Sequence, residues 1–526
     1  MALDIILNTT CYTDHNENKM SFPTIAIVSL ITKFSKLYYP IQLFTLYQSI
    51  YELRKHFNKI VLGRSNRPID IIDFVKSEKI NILALSAHQQ TLKTLDETLH
   101  LLQKISIRQR PYLILGGALP TYLPERFVNK YPNLPMSIIR GWGEIAFRER
   151  IKEIVKNTKN SFGKRKHIII DGTTPQSYPF QNGIPSYKKG EFCFPRVESS
   201  RGCSHNICAF CLRPFSKTLK CWTPYDPKDI IDQIKKIVEL GYHGYFEFSD
   251  EDPIGNDLQR FEHILEGIKK IKGRYPSLTF GMNLRTANII SKDEKEQLRK
   301  DHFLEIAKSA GLLAVWNGAE SYSLSHLRLL GKGKDVTPEA NFAAALKLKH
   351  FGIQVLQGIM PYHPLATWNQ LIENAKFLNS HLNTFVKVLT LPFGFLRVQI
   401  NTPYLIFVKQ TEKRTGKKLL GKLDEDMLTY NCKYLDPTIG IHVSYMKKVY
   451  RSLMPTMKEE RVKILSGKKK DGRRLQLLRY YGLKMFIESI EKLHKVRDDL
   501  KSFKLTQEAI IEKFKRRFKR LGVLIK

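Results

Sequence analysis

The sequence lacks a hydrophobic run long enough to cross a membrane. Its most apolar early stretch, FPTIAIVSLITKF at residues 22–34, is shorter than a bilayer-spanning helix and contains a lysine. The N-terminus also lacks the basic, apolar and small-residue pattern of a secretory signal. We therefore expect a cytoplasmic protein with no transmembrane segment.

Cysteine is scarce, with seven residues in a chain of 526. A small, odd number in so long a chain fits a reducing compartment and argues against a disulfide framework. The distribution is uneven, because Cys203, Cys208 and Cys211 fall within nine positions. This density argues against three buried free thiols and indicates a site that uses sulfur ligands.

Acidic residues are few relative to basic ones, 50 Asp and Glu against 86 Lys and Arg, so the formal net charge is +36. Residues 456–526 alone hold 22 basic and 9 acidic side chains. A field of this sign attracts nucleic acid, acidic peptides or anionic membrane surfaces. The alternative is a set of solvated lysine-rich faces, and charge alone does not decide between the two.

Strand-like and helix-like segments alternate over residues 20–150. Buried-strand patterns occur in TIAIVSL, KINILALSA, PYLILGG and MSIIRGWGE, and helical spacing occurs in PIQLFTLYQSIYELRKHF and TLKTLDETLHLLQKI. This order predicts an α/β domain over residues 1–150, built on a doubly wound parallel sheet. Glycine turns follow two strands, at Gly116–Gly117 and at Gly141. Because such sheets bind ligands at the carboxyl ends of their strands, we expect a ligand-binding edge there.

A polar linker is predicted at residues 151–190. Six βα repeats follow at residues 191–410 and predict a partial (β/α)6 barrel, in which the loops after the strands carry the chemistry. The strand candidates are FPRVESS, GYFEFSD, LTFGMNLR, GLLAVWNGAE, IQVLQGIM and TFVKVLTLP. Residues 411–526 are predicted to form a helical, basic C-terminal region. Its last helix carries an apolar stripe of the kind found in packed terminal helices or in helices that contact a membrane surface or RNA, comprising Ile510, Ile511, Phe514, Phe518 and Leu521.

The three clustered cysteines lie in the loop after the first predicted barrel strand. Thiolates bind soft metals, and a structural zinc site needs four ligands. The nearest further cysteines are Cys193 and Cys221, although the spacing is poor for a zinc ribbon. An iron–sulfur cluster held by three cysteines leaves one iron open for a substrate or cofactor.

With these motifs the chain resembles the radical S-adenosylmethionine (SAM) superfamily, in its cobalamin-binding branch, over residues 20–410. That family carries C-x3-C-x2-C after the first barrel strand, with an aromatic residue before the last cysteine. Here Cys203, Cys208 and Cys211 form C-x4-C-x2-C, one residue longer in the first gap, and Phe210 is the aromatic residue. The resemblance implies a 4Fe–4S cluster on these cysteines and SAM bound at its open iron.

Further segments follow the family's order around the cysteine loop. FEFSDEDPIGND resembles the acidic segment after the second strand, and NGAESYSLSHLRLLGKGKDVTPE resembles the stretch after the fourth. The resemblance implies contacts to SAM from Phe210, Asp250, Arg285, Glu320 and Ser321. Arg285, at the end of the third strand, is expected to pair with the SAM carboxylate through two hydrogen bonds.

The N-terminal segments LALSAHQQT, LILGGALPTYLPE and IIRGWGE are similar to cobalamin-binding domains joined to radical SAM barrels. By this analogy the cofactor contacts are Ser86, Gly116, Gly117, Thr121, Gly141 and Glu144. The D-x-H-x-x-G motif that supplies a histidine to cobalt elsewhere is absent, as in many radical SAM relatives. His88 is not assigned as a cobalt ligand, because a lone loop histidine is more often a surface hydrogen-bonding group.

The function implied by the resemblance is reductive cleavage of SAM to a 5′-deoxyadenosyl radical, followed by methylation of an unactivated carbon. The expected partners are an external electron donor, such as flavodoxin or ferredoxin, and a peptide or small-molecule natural-product substrate. Alternatives are a cobalamin-dependent radical rearrangement, cyclisation or dehydrogenation, and a radical enzyme that modifies RNA. A non-enzymatic alternative is a basic nucleic-acid-binding protein with a structural metal.

Overall fold

The computed structural model describes residues 4–10, 22–32, 41–157, 166–176, 194–212, 221–333, 336–389, 393–465 and 472–525. The chain divides into two compact units. Unit 1 comprises residues 1–201, 214–242 and 424–429, and unit 2 comprises residues 202–213, 243–423 and 430–526. These units do not coincide with the predicted boundaries at 150, 190 and 410.

Unit 1 contains a sheet of seven strands. The order across the sheet is β1-β3-β2-β4-β5-β6-β7, and every neighbouring pair is parallel except β1 with β3. The strands are β1 (Asp4–Thr10), β2 (Thr24–Leu30), β3 (Lys59–Ser65), β4 (Ile82–Ser86), β5 (Tyr112–Gly116), β6 (Met136–Gly141) and β7 (Ile168–Gly172). The central strands are apolar and buried, as in sheets covered by helices on both faces. The predicted doubly wound parallel sheet is therefore confirmed.

Among the described residues, six helices accompany this sheet: α1 (Ile41–Ile50), α2 (Pro68–Ser77), α3 (Leu92–Gln103), α4 (Ala118–Tyr122), α5 (Pro124–Lys130) and α6 (Gly143–Asn157). The segment predicted as one helix at residues 40–57 is α1 followed by a 3-10 helix, Tyr51–His56. The predicted linker also differs from the structure, because β7 lies within it and pairs with β6. Most of its remainder, with Cys193 beyond it, lies outside the described residues.

Four short elements precede the second βα series: β8 (Arg196–Val197), β9 (Ser200–Gly202), β10 (Trp222–Pro224) and α7 (Pro227–Glu239). The first predicted barrel strand, FPRVESS, corresponds to β8. Strand β9 pairs with β10, and helix α7 begins at the N-cap Asp226, whose side chain accepts a hydrogen bond from Lys228 N.

Unit 2 contains the parallel strands β11 (Tyr245–Phe248), β12 (Thr279–Asn283), β13 (Leu312–Glu320) and β14 (Gln354–Ile359), adjacent in the order β14-β13-β12-β11. The helices in this series are α8 (Leu258–Arg274), α9 (Glu294–Ser309), α10 (Leu324–Leu329), α11 (Pro338–His350) and α12 (Trp368–Ser380). Phenylalanines on one face of the sheet pack against helices: Phe246, Phe248 and Phe280 contact one another, and Phe248 contacts Phe261 of α8. The repeated parallel βα units agree with the predicted fold class.

The prediction of a sixth barrel strand at TFVKVLTLP is wrong over most of that segment. Its first part is helix α13 (Leu382–Val388), and Leu389 forms an isolated parallel bridge with Gln357. Residues 390–392 lie outside the described part of the chain. Helix α13 packs on a helix from the C-terminal region, and this tertiary contact overrides the β-branched pattern.

The C-terminal region is helical, as predicted, and belongs to unit 2 except for residues 424–429, which belong to unit 1. It contains α14 (Pro403–Thr415), a small sheet of β15 (Val398–Gln399), β16 (Leu420–Asp424) and β17 (Thr429–Cys432), and the long helices α15 (Pro437–Leu465), α16 (Arg473–Lys495) and α17 (Leu500–Arg520). Four residues of the predicted stripe, Ile510, Ile511, Phe514 and Phe518, are buried. Of the two alternatives for this stripe, a packed terminal helix or a helix that contacts a membrane surface or RNA, helix α17 is the packed terminal helix. No helix within the described ranges is long and apolar enough to cross a membrane.

Candidate functional site

An open cavity of about 680 Å³ lies in unit 1, where the parallel strands end. Its walls include the last residue of β4, β5 and β6, and the first turn of α6. Apolar side chains, among them Ile27, Leu85, Ile114 and Phe147, form the rest. Five of the six residues predicted to contact cobalamin line this cavity: Ser86, Gly116, Gly117, Gly141 and Glu144.

Gly117 shapes the turn from β5 into α4. Its φ is +94°, and a Cβ added there would lie 2.4 Å from the carbonyl oxygen of Ala87. Only glycine fits both the dihedral angle and the close approach. The sixth predicted residue, Thr121, does not line the cavity. Its hydroxyl donates to Gly117 O (2.8 Å) and accepts from Gly141 N (3.0 Å), so it joins the two glycine turns.

His88 lines the same cavity, beside Ser86. The Ser86 hydroxyl lies 3.1 Å from His88 Nε2. Burial lowers the pKa of His88 to about 4, so its imidazole is neutral near pH 7.

An ionic cluster forms the polar wall of the cavity. Arg201 Nη2 lies 3.0 Å from Glu144 Oε1 and 2.7 Å from Glu198 Oε2, and the Arg201 guanidinium lies 5.3 Å from the Trp142 ring centroid. Glu144 is 4% exposed, and its Oε2 has no hydrogen-bond partner among the described residues. Burial raises the pKa of the Glu144 carboxyl, against the opposing effect of the Arg201 charge. Sequence reasoning missed Arg201, although the segment IIRGWGE had given Glu144 as a predicted contact.

The three clustered cysteines lie in unit 2 on a loop that is fixed by backbone hydrogen bonds on two sides. Ala209 N donates to Leu330 O (2.9 Å), and Tyr404 N donates to Ala209 O (2.9 Å). Gly331 has a φ of +76°, and a Cβ there would lie 2.5 Å from Ile207 O. The turn after α10 and the start of α14 therefore hold the loop in place. Along it, Cys208 is buried, Cys203 is half-buried and Cys211 is exposed.

The Cys208 and Cys211 thiols interact with each other and with a buried lysine. A hydrogen bond from Cys211 lowers the pKa of the Cys208 thiol, and the charge of Lys332 contributes to the shift. The ammonium of Lys332 donates to Gly318 O (2.8 Å) and pairs with Glu320 Oε1 (3.1 Å). In the part of the chain that is described, no three His, Cys, Asp or Glu residues converge on a single metal ion. Lys332 is thus a cation beside Cys208 and Cys211.

Asp252 connects this loop to strand β12. Its Oδ2 accepts hydrogen bonds from Ser204 N (3.1 Å) and Ser204 Oγ (2.7 Å), and it lies 3.2 Å from Arg285 Nε. Arg285 also donates to Ser204 Oγ (3.1 Å). The predicted Asp250 is placed differently, since its backbone oxygen accepts from Asn283 and its carboxylate charge acts on Arg260. The acidic segment contained three candidates, and sequence spacing did not distinguish Asp252 from Asp250.

The remaining predicted SAM contacts lie in different surroundings. Glu320 ends β13 with a φ of +63° and pairs with Lys332. Ser321 is fully buried, and its hydroxyl donates to Asn374 Oδ1 (3.2 Å) and accepts from Ser323 N (3.0 Å). Phe210 packs against the apolar cluster that includes Leu330 and Tyr404. Glu320 therefore lies beside the thiols, whereas the Ser321 hydroxyl is occupied within the core.

Comparison with known proteins agrees with this architecture. Residues 28–151 match the family model described as the B12-binding domain. The structure of the cobalamin-dependent SAM radical enzyme OxsB, with aqua-cobalamin bound, superposes with a TM-score of 0.75 at 21% identity, over 95% of this chain and 81% of that one. The chain has the fold of the cobalamin-dependent radical SAM enzymes. The match to the B12-binding domain and this fold agree with the family resemblance seen in the sequence.

A second structure with the cobalamin-dependent radical SAM fold is the radical SAM methyltransferase TsrM from Kitasatospora setae, with cobalamin and a [4Fe-4S] cluster bound. It gives a TM-score of 0.55 at 12% identity, over 74% of this chain and 75% of that one. Of the predicted cofactors, cobalamin is bound in both structures and a [4Fe-4S] cluster in that of TsrM, and a further OxsB structure holds S-adenosylmethionine together with aqua-cobalamin.

By sequence, the chain is 24% identical to 4′-phospho-dehydrooxetanocin synthase of Priestia megaterium, over 62% of this chain and 51% of that protein. It is 32% identical to the anaerobic magnesium-protoporphyrin IX monomethyl ester cyclase of Rubrivivax gelatinosus, over 46% of this chain and 44% of that protein. The chain thus spans about half the length of these two relatives.

Proposed function

We propose that this protein is a cobalamin-dependent radical SAM enzyme that methylates an unactivated carbon of a peptide or natural-product substrate. The observation that carries the proposal is the fixed loop of three cysteines, with Lys332 beside two thiols and the Asp252–Arg285 pair beside the third. An external electron donor such as flavodoxin or ferredoxin is part of the proposal, because reductive SAM cleavage consumes an electron.

The cysteine loop fits a 4Fe–4S cluster. Cys203, Cys208 and Cys211 would hold three irons, and the backbone bonds at Ala209 would keep the loop rigid when the cluster binds. Held by these three cysteines, such a cluster would keep one iron open and would supply the electron for reductive cleavage of SAM. Lys332 would offset part of the negative charge that three cluster-bound thiolates bring to the loop.

SAM carries an amino group and a carboxylate, and both have complementary groups in unit 2. Arg285 is a quarter exposed and would bind the carboxylate, while Asp252 holds its guanidinium in place. Glu320, at the end of β13, would accept hydrogen bonds from SAM. Ser321 and Phe210 would act indirectly, because the Ser321 hydroxyl and the Phe210 ring already pack within unit 2.

The cavity of unit 1 fits cobalamin. Glu144 Oε2 is an orphaned acceptor on the cavity wall, suited to the amide groups around a corrin ring. Gly116, Gly117 and Gly141 would bring backbone close to the ring, with Thr121 holding the two turns together. Ser86 would be a further polar contact. Cobalamin would supply the methyl group, and the apolar wall would exclude water.

A second candidate is a radical reaction that uses cobalamin without methyl transfer. Two sequence relatives favour it, since they are named as a synthase and a cyclase, whereas the structural neighbour TsrM is named as a methyltransferase. A radical enzyme acting on RNA remains a prediction from the basic charge. Product mass separates these outcomes, because only methyl transfer adds 14 mass units, about one CH2 group.

The test is anaerobic reconstitution of the full chain, followed by iron, sulfide and cobalt analysis and a SAM-cleavage assay under a strong reductant. We expect iron, sulfide and cobalt together, with methionine and 5′-deoxyadenosine formed from SAM. A protein that takes up zinc, binds RNA with steep salt dependence and leaves SAM intact would instead be the non-enzymatic alternative.

A further inference from the structure

The loop that carries the cysteines is held at Ala209, the residue between Cys208 and Phe210. Its N–H donates to Leu330 O and its carbonyl oxygen accepts from Tyr404 N, both at 2.9 Å. Ala209 is buried, so these two bonds satisfy backbone groups that water does not reach. The position of the loop therefore depends on what fixes Leu330 and Tyr404.

Tyr404 is held by His363, which lies in the segment after β14. The Tyr404 hydroxyl lies 2.7 Å from His363 Nδ1, and both side chains are fully buried. His363 Nε2 lies 3.2 Å from Gln370 Oε1, an oxygen that also accepts from Thr367 N (3.2 Å). Because this oxygen is an acceptor, His363 Nε2 is assigned the ring proton, and Nδ1 accepts from the Tyr404 hydroxyl. Burial lowers the pKa of His363 to about 3, in agreement with a neutral ring.

Leu330 is connected to the same histidine through His326 of α10. Leu330 N donates to His326 O (3.0 Å), and the His326 ring stacks on the His363 ring, with centroids 4.2 Å apart and planes at 20°. His326 is fully buried, and neither of its ring nitrogens has a hydrogen-bond partner among the described residues. Starting at Ala209, the contacts therefore run in a closed circuit through Leu330, His326, His363 and Tyr404.

We propose that His363 is a positioning residue for the cysteine loop, acting on Ala209 through Tyr404 on one side and through His326 on the other. The proposal rests on the proposed function, because the loop it positions is the one that would hold the cluster. Cys208 precedes Ala209 and Cys211 follows it by two residues, so a displacement of Ala209 would move both thiols.

The competing explanation is that the buried hydrogen bond of Tyr404 only stabilises the fold. Tyr362 provides a matched control, because it is equally buried and its hydroxyl lies 2.7 Å from Nε2 of the buried His442. His442 belongs to α15 and not to the circuit around Ala209. Removal of either tyrosine hydroxyl leaves a buried histidine nitrogen without that partner. A purely structural role therefore predicts similar effects of Tyr404→Phe and Tyr362→Phe.

The first experiment uses the full chain without metal and measures hydrogen exchange of peptides that cover residues 203–211, with thermal unfolding as the measure of overall stability. We expect exchange at least about fivefold faster in Tyr404→Phe and in His363→Phe, as the loss of one net hydrogen bond implies, and no change in Tyr362→Phe. His363→Phe keeps an aromatic ring for the stack but removes the acceptor. The double variant should exchange no faster than the faster single variant, because both substitutions remove the same bond.

The second experiment follows anaerobic reconstitution of the same variants. The rate at which a chelator removes iron and the g values of the reduced cluster should change in Tyr404→Phe but not in Tyr362→Phe. A substitution that affected only the overall stability would leave the g values unchanged.

Equal loop exchange in Tyr404→Phe and Tyr362→Phe, additive effects in the double variant, or an unchanged cluster in Tyr404→Phe would overturn the proposal. If His363→Phe does not fold, the comparison of the two tyrosine variants decides alone. Failure of the proposed function is distinguishable from failure of this inference. A chain that takes up no iron contradicts the enzymatic proposal, whereas loop exchange in the metal-free chain still tests the role of His363.

Discussion

The cavity of unit 1 and the cysteine loop of unit 2 are built by different means. The cavity is shaped mainly by backbone, with glycines at the ends of β5 and β6 and one buried ionic cluster around Arg201. The loop is irregular, and charged side chains from later segments surround it, namely Asp252, Arg285 and Lys332. The cavity should therefore be sensitive to added volume, and the loop to altered charge.

The largest effect in the cavity is expected from Gly117→Ala. The left-handed backbone and the contact with Ala87 O cost roughly 2 kcal/mol or more, so the affinity for hydroxocobalamin should fall at least about 30-fold. The measurement is a cobalamin titration followed by absorbance. Gly241→Ala is the control, because Gly241 also has positive φ (+101°) but open space around it. Equal affinities in the two variants would show that the turn does not shape the site.

The cysteine loop of unit 2 should be more sensitive to the loss of a nearby charge than the cavity of unit 1 is. Lys332→Met removes a largely buried cation beside the thiols, and such a charge interaction is worth on the order of 2 kcal/mol at an effective dielectric constant of about 20. The reduction potential of the cluster should fall by on the order of 90 mV, at about 59 mV per tenfold change for one electron. Lys332→Arg should retain most of the potential. A redox titration followed by electron paramagnetic resonance measures the potential of the cluster. Lys409→Met, which removes an exposed lysine, is the control. An equally large shift in Lys409→Met would show that the effect does not depend on the position of Lys332.

The two units should also differ in their response to acid. Burial lowers the pKa of His88 in unit 1 to about 4, and in unit 2 it lowers those of His442 to about 4 and His363 to about 3. Each of these histidines has a lower pKa in the folded state than in the unfolded state, where the pKa is about 6.5. Between these two pKa values the unfolded state binds a proton that the folded state does not. The stability present above pH 6.5 is therefore lost progressively as the pH falls toward the folded pKa. Each contributes about 1.4 kcal/mol per pH unit in that window.

Unit 2 should therefore lose more stability than unit 1 between pH 6.5 and pH 4. Hydrogen exchange in urea, read separately for peptides of the two units, measures the difference. His442→Gln should reduce the pH dependence of unit 2, whereas the exposed His302→Gln should leave it unchanged. Identical pH dependence of both units would contradict the assignment of neutral buried histidines.

The smallest effect is expected from Thr121→Val. It removes the hydroxyl that joins Gly117 O to Gly141 N, and at about 0.5 kcal/mol for each hydrogen bond, the low end of their net range, the two together contribute about 1 kcal/mol. Cobalamin affinity should fall several-fold, and Thr121→Ser should restore it. An unchanged affinity in Thr121→Val would mean that the glycine turns hold their shape without this link.

Sequence patterns were most informative where backbone periodicity decides the structure. Apolar runs such as TIAIVSL can only be satisfied inside a sheet, and β2 forms over that whole segment. The strand β3 was missed because its apolar run, KIVLGRS, is short and ends in a glycine and an arginine. The predicted sixth barrel strand failed because packing on α16, far along the chain, determines the conformation of residues 382–388.

In the candidate site, too, local sequence features could be predicted, whereas contacts from distant segments could not. The spacing of the cysteines drew attention to the loop, but nothing local indicated that Lys332 and Asp252 would face it. Such partners are set by the register of strands β11 to β13 and by the turns after them. Arg201 was missed for the same reason, since its partner Glu144 comes from the first turn of α6.

The central claim is that three cysteines hold a cluster whose remaining iron is open to SAM. The most direct measurement is electron–nuclear double resonance on the reduced, reconstituted protein with SAM labelled at its amino nitrogen and carboxylate oxygens. We predict nuclear couplings that show both groups on one iron, and loss of the cluster in Cys208→Ala but not in Cys221→Ala. A cluster without coupling to SAM, or one that survives Cys208→Ala, would contradict the account.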